Sequence, residues 1–96
     1  MKHFADNNQE GPHHNGRLIT SSVVGARAQW ELYYPAFEAA VAAGVGSVMC
    51  SYNLINGTYA CENKRTLTTD LKERMNFSSG WVVSDWGADH GSVRSQ

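Results

Sequence analysis

The chain has 96 residues, a formal charge of −1, 42% hydrophobic residues and 18% charged ones. That balance suits a folded globular chain, and the length allows one small domain at most. No Lys/Arg cluster points to a nucleic-acid partner, and no apolar run approaches the roughly 20 residues that a membrane-crossing helix needs.

Residues 1–22 are polar and irregular, and Asn7, Asn8, Gly11, Pro12, Asn15 and Gly16 predict a loop. His13-His14, with His3 and His90, invites a metal reading. Adjacent histidines point in different directions and lack the helical i, i+4 spacing, so a solvated loop is the expectation and no metal site is assigned. From about Ala26 to Ala43, Trp30, Tyr33, Tyr34, Phe37 and Val41 recur at three- and four-residue steps, which places them on one helical face. Pro35 inside this stretch should kink the helix or begin a new one, and Gly44 and Gly46 should end it. Ser47 to Tyr52 reads as a short apolar strand. Residues 53–63 read as a connecting loop with a turn at Asn56-Gly57. A second helix is expected over about Lys64–Met75, with Leu67, Leu71 and Met75 in register and Asn63 as its N-cap. Gly80 to Ser84 reads as another buried strand, ending at Asp85-Trp86.

Strands alternating with helices imply an α/β fold with parallel pairing through right-handed crossovers. Both strands are apolar along their length, as strands covered on two faces tend to be. Each ends in a polar and aromatic cluster, Ser51-Tyr52-Asn53 and Ser84-Asp85-Trp86, and parallel pairing puts both clusters at the carboxyl edge, where α/β enzymes hold their chemistry. Two strands and two helices cannot shield both faces of a parallel sheet, so the chain is expected to be a piece of a larger barrel.

Cys50 and Cys61 are the only cysteines. They allow one disulfide in an oxidising compartment or two buried thiols, and the spacing does not choose between them. Asn56-Gly57-Thr58 and Asn76-Phe77-Ser78 fit the N-glycosylation acceptor pattern and lean toward secretion. The start, Met1-Lys2-His3-Phe4, has no apolar signal core, so a leader is expected outside this chain.

Four segments carry a family likeness: Lys2-His3-Phe4 with Asn8-Gln9-Glu10; Arg27 with the helix onward to Pro35 and Phe37; the run from Ala43 to Asn53; and Val82-Val83-Ser84-Asp85-Trp86-Gly87-Ala88. In order and spacing the chain resembles glycoside hydrolase family 3, in particular its fungal-type β-glucosidases. The resemblance implies a (β/α)₈ TIM-like barrel, of which these residues form an incomplete part, followed by an α/β sandwich domain that supplies the acid/base carboxylate. It implies retaining hydrolysis of terminal β-D-glucosyl residues through a covalent glycosyl-Asp intermediate. Asp85 matches the nucleophile, Lys2 and His3 the residues that bind sugar hydroxyls, Tyr52 the tyrosine beside the nucleophile, and Trp86 the aromatic wall of the sugar pocket. Arg27 matches a recurrent arginine and stands evenly between substrate contact and a structural ion pair. The implied partners are a small β-glucoside or cello-oligosaccharide and the rest of the same polypeptide, in a secreted protein without metal or organic cofactor. The chain departs from the family pattern at Gly25-Ala26, where acidic residues usually precede the arginine, at Asn76 to Gly80, one residue longer than the common form, and in the loop from Gly11 to Gly16. A β-xylosidase of the same family and a non-catalytic carbohydrate-binding relative are the alternatives.

The chemistry accounts for the residue types. Retaining glycosidases need two carboxyl groups about 5–5.5 Å apart, one attacking the anomeric carbon and one protonating the leaving oxygen. A nucleophilic carboxylate stays ionised beside cations and hydrogen-bond donors, which Lys2, Arg27 and Tyr52 offer. Ammonium and imidazole groups can hold hydroxyls, and an indole face suits the apolar side of glucose. Outside this context Asp85 would read as a strand-end carboxylate, Trp86 as a core aromatic, Tyr52 as packing and Lys2-His3 as a frayed terminus. Glu10, Glu31, Glu62 and Glu73 are present, but none matches the family acid/base, so the chain alone is expected to be inert.

Overall fold

The computed structural model describes residues 1–11 and 16–90; His13-His14 and most of the Gly11–Gly16 loop lie outside them. The first departure from the sequence reading is at the start of the chain. Met49 N–H donates to Met1 O (2.8 Å), Phe4 N–H to Met49 O (2.8 Å) and Ser51 N–H to Phe4 O (2.9 Å), with Phe4 bridged in parallel to Cys50. Residues expected to be loop therefore form a sheet edge. Their hydrophobic signal is one ring, Phe4, fully buried, too short a pattern to read as a strand.

A short helix, α1 (Gly16–Ile19), leads to β1 (Ser21–Ser22). The long helix then comes in pieces: α2 (Ala26–Ala28), a wide turn over Gln29–Tyr33, and α3 (Pro35–Ala42). Pro35 occupies the first turn of α3, where its missing N–H has no partner to lose, so it starts a helix there. In the wide turn Tyr34 N–H reaches back five residues to Gln29 O. That extra width turns Tyr34 inward, with 0% exposure, and leaves Tyr33 at 38%. The aromatic stripe on the core is thus Trp30, Tyr34 and Phe37, not Tyr33. Tyr34 stacks on Phe4 (centroids 5.4 Å apart), and Phe37 meets Phe4 edge-on at 5.1 Å. The helix closes in a Schellman pattern, Gly44 N–H to Val41 O and Val45 N–H to Ala40 O.

Next come β2 (Ser47–Cys50), then a hairpin of β3 (Leu54–Ile55) and β4 (Thr58–Tyr59) inside the stretch read as plain loop. The anticipated Asn56-Gly57 turn is present, with φ of 48° and 87°, the paired positive values of a type I′ hairpin turn. The strands beside it are two residues each, too short to show alternation. A 3₁₀ turn (Ala60–Glu62) precedes α4 (Arg65–Arg74), itself wound with wide turns. Asn63 caps it as expected, its Oδ1 accepting from Thr66 N–H at 3.2 Å. Finally β5 (Trp81–Ser84) pairs in parallel with β2, Ser47 opposite Trp81 through Cys50 opposite Ser84. Gly80 leads into β5 where a Cβ would collide with the Phe77 ring and Gly46 O.

The result is a mixed α/β fold with two small sheets. One holds β2, β5 and the Met1–Phe4 edge; the other has the order β1-β3-β4, parallel then antiparallel. Phe4, Tyr34, Val48, Ile55, Leu71, Met75 and Phe77 form the core. The reading of Gly80 to Ser84 as a buried strand is corrected within these residues: Trp81 is 71% exposed and Val83 42%, because the helices cover only the side carrying Val48 and Val82, too few to shield both faces. The question the cysteine spacing left open is answered by a Cys50–Cys61 disulfide, which ties the end of β2 to the 3₁₀ turn.

Candidate active site

Three chain segments run to one rim. Beyond β2, the Ser51 and Asn53 side chains both turn inward and donate to Ala5 O (3.0 and 3.1 Å), and Asn53 also reaches Asp6 O. With its two neighbours anchored in the core, the intervening Tyr52 is directed to the rim. Beyond β5, Asp85 N–H donates to Cys50 O at 3.3 Å, which continues the sheet by one residue and sets the carboxylate beside Tyr52. From the edge segment, His3 follows Lys2 and precedes the buried Phe4.

These positions bring His3, Tyr52 and Asp85 together. His3 Nε2 lies 3.4 Å from Asp85 Oδ2, and Asp85 Oδ1 accepts from Trp86 N–H at 2.8 Å. The Tyr52 phenol lies close enough to the same carboxylate to feel its charge. Its pKa is raised above the ordinary 10.0, first by loss of solvent, then by the proximity and charge of Asp85, against an opposing pull from Arg17. The Arg17 guanidinium stands 5.3 Å from the Tyr52 ring centroid and 3.4 Å from Glu10 Oε1. A cleft of about 400 Å³ opens here, lined by Glu10, Arg17, Leu18, Tyr52 and Trp86. The Trp86 side is 90% exposed and forms a wall on which an apolar face could pack.

Of the sequence-predicted residues, the rim gathers His3, Tyr52, Asp85 and Trp86. Lys2 is exposed next to His3 and makes no ion pair among the described residues. Arg27 is not brought to Asp85: it is 88% exposed along its side chain and bonds Glu31 one turn on, at 3.0 Å. The cation that does reach the cleft is Arg17, which sequence reasoning missed, together with Glu10. The signal was weak, because Arg17 meets Glu10 seven residues earlier, where its own N–H bonds Glu10 O. No periodicity marks such a contact.

A second cavity, about 310 Å³, shares no lining residue with the first; Gln29, Tyr34, Asn63, Arg65, Thr66 and Asp70 contribute to it. Its polar floor is the bond from Tyr34 O–H to Asp70 Oδ2, 2.9 Å.

Comparisons with known proteins place the chain in a family. Residues 1–95 match the glycosyl hydrolase family 3 N terminal domain. Probable beta-glucosidase L of Aspergillus terreus is 49% identical over 94 residues, covering 98% of this chain and 12% of that protein. An exo-alpha-(1->6)-L-arabinopyranosidase of Bifidobacterium breve is 46% identical over 91 residues, covering 94% of this chain and 11% of that protein. The crystal structure of the beta-D-glucoside glucohydrolase from Trichoderma reesei superposes with a TM-score of 0.88 at 46% identity, covering 98% of this chain and 12% of that one. The chain thus spans 12% of the length of the first of these relatives. A match over almost every residue, at this identity and with this superposition, establishes that the chain belongs to glycoside hydrolase family 3.

Proposed function

We propose that the full-length protein hydrolyses terminal β-D-glucosyl residues with retention of configuration, and that Asp85 is its nucleophile. The observation that carries this reading is the convergence of His3, Tyr52 and the Asp85 carboxylate at the carboxyl edge of a parallel sheet, beside an open cleft. An Asp85 oxygen attacks the anomeric carbon while the glycosidic C–O bond breaks and the leaving oxygen takes a proton from a second carboxylic acid. Water, activated by that same group as a carboxylate, then cleaves the glycosyl ester and frees Asp85. The second carboxyl group is assigned to an α/β sandwich domain that follows a completed TIM-like barrel in the full-length protein.

Lys2 and His3 are assigned to the sugar hydroxyls and Trp86 to the sugar face. Tyr52 holds the carboxylate and meets the charge that develops on the ring. Arg17 supplies a positive field at the cleft, a part the sequence reading gave to Lys2 and Arg27. The disulfide supports assignment to an exported protein, since such bonds persist in oxidising compartments.

A mechanism-based 2-fluoro glucoside incubated with the full-length protein should leave its label on the peptide carrying Asp85. Label on another carboxylate removes the assignment. The arabinopyranosidase relative favours one second reading, in which the chemistry stands and the sugar differs. Ratios of kcat/KM for aryl glucoside, xyloside and arabinopyranoside substrates decide between them.

A further inference from the structure

We propose that Asn76 carries an N-linked glycan, placed at the end of the sheet opposite the catalytic rim. The triplet Asn76-Phe77-Ser78 closes α4. Phe77 is 3% exposed and packs into the core, while Asn76 and Ser78 on either side of it face solvent. The buried ring pins the triplet to the surface, and both polar members of the acceptor pattern stay accessible. Asn76 has φ of 62°, the left-handed conformation that ends the helix and points the chain out of it. Its amide makes no hydrogen bond among the described residues. At Asn56 the same pattern occurs, but that amide is engaged at both ends, Nδ2 donating to Val24 O and Oδ1 accepting from Val24 N–H, each at 2.9 Å.

Two more observations agree. The Cys50–Cys61 disulfide fits passage through an oxidising lumen, where glycan transfer takes place in eukaryotic cells. Asn76 precedes β5, whereas Asp85 follows it, so the length of a four-residue strand, roughly 13 Å, separates the glycan from the cleft. A bulky modification there leaves the site open.

In the transfer, Nδ2 attacks C1 of an oligosaccharide held on a lipid pyrophosphate. The Nδ2–C1 bond forms, the C1–O bond to the pyrophosphate breaks, the lipid pyrophosphate leaves, and Nδ2 gives up one of its two hydrogens. This inference rests on export of the protein, not on its catalysis, so either can fail alone.

The test uses full-length protein secreted from a eukaryotic host. Enzymatic release of N-glycans in heavy-oxygen water should convert Asn76 to labelled aspartate in most molecules, as read by peptide mapping. A Ser78→Ala variant should lose that label and one glycan's worth of mobility shift while keeping its activity; Ser78→Thr should retain the label. Ser78→Ala is the sharper variant, because replacing Asn76 also disturbs a positive-φ position. Recovery of mainly unmodified Asn76 peptide from the secreted protein overturns the proposal, as does a Ser78→Ala protein with an unchanged glycan pattern.

Discussion

The molecule contains two tyrosine–aspartate pairs with the same chemistry and different surroundings. Tyr34 and Asp70 meet in the interior, 0% and 3% exposed, at 2.9 Å. Tyr52 and Asp85 meet at the rim, next to a histidine and an open cleft. In the interior the hydroxyl is an obligate partner: without it, a buried carboxylate would have, among the described residues, only Arg74, 4.0 Å away and on the other oxygen. At the rim solvent can serve either group, so the pair is free to act on a ligand. Burial, not residue type, separates the structural pair from the one proposed to act on substrate.

The largest effect tests the rim. In the full-length protein D85N should lower kcat on the order of 10⁴-fold, because an amide cannot form the glycosyl ester. Its melting temperature should barely move, since the amide oxygen can still accept from Trp86 N–H. A D85N protein that keeps substantial activity places the nucleophile elsewhere.

The interior pair should show the opposite signature. Y34F removes the donor to Asp70 and should cost about 1.5–3 kcal/mol of stability, with kcat unchanged in the folded enzyme. Tyr34 also has a pH signature. Burial first, then the bond to Asp70 and its charge, raise the Tyr34 pKa well above the ordinary 10.0. The folded state therefore holds this proton more tightly than the unfolded chain does. Its contribution is complete below the unfolded value and is lost as pH rises past 10. Thermal melts across the alkaline range should fall more steeply for the wild type than for Y34F. Parallel curves would mean that Tyr34 ionises as freely inside as outside.

Y52F removes the corresponding hydroxyl at the rim, and a smaller effect is expected: about a tenfold loss of kcat, near 1.4 kcal/mol, with little change in melting temperature. The comparison breaks if Y52F unfolds the protein while Y34F slows it.

Much of this contrast was legible in the sequence, and the illegible part has a common cause. Asp85 and Tyr52 stand at the ends of two apolar runs, and parallel pairing alone brings them to one edge. Asn63 as a cap and Asn56-Gly57 as a turn are local signals, and both are present in the structure. The Met1–Phe4 edge and the β3–β4 hairpin escaped because segments of two to four residues are too short for periodicity. Tyr34 and Tyr33 are adjacent, and both satisfy helical spacing; only the wide turn at Gln29 decides which points inward. Arg17 was hidden because its contact with Glu10, seven residues away, follows no spacing rule. Arg27 matched a pattern in sequence, but its nearest opposite charge is Glu31, four residues on along the same helical segment.

The smallest effect is the most demanding of the idea that burial decides. Asp6 is 7% exposed; Oδ1 accepts from Gln29 Nε2 at 3.2 Å, and Oδ2 has no hydrogen-bond partner among the described residues. Burial raises its pKa above the ordinary 3.8, and the Gln29 bond offsets only part of that. The raised value means the folded state favours the protonated form. Stability linked to Asp6 is thus complete below 3.8 and declines as pH rises through the folded value. Near neutrality the Asp6 charge works against the fold. D6N keeps an oxygen for Gln29, removes the charge and suits the backbone, since asparagine tolerates the φ of 61° found there. The new amide group inherits the unpartnered place of Oδ2, which limits the gain to under about 1 kcal/mol. The domain should melt slightly higher for D6N at neutral pH, and the gap should close as pH falls and wild-type Asp6 takes up its proton. A lower melting temperature for D6N at neutral pH would mean that this carboxylate, although buried and half-satisfied, stabilises as an ion, and burial alone would no longer separate the two classes of aspartate.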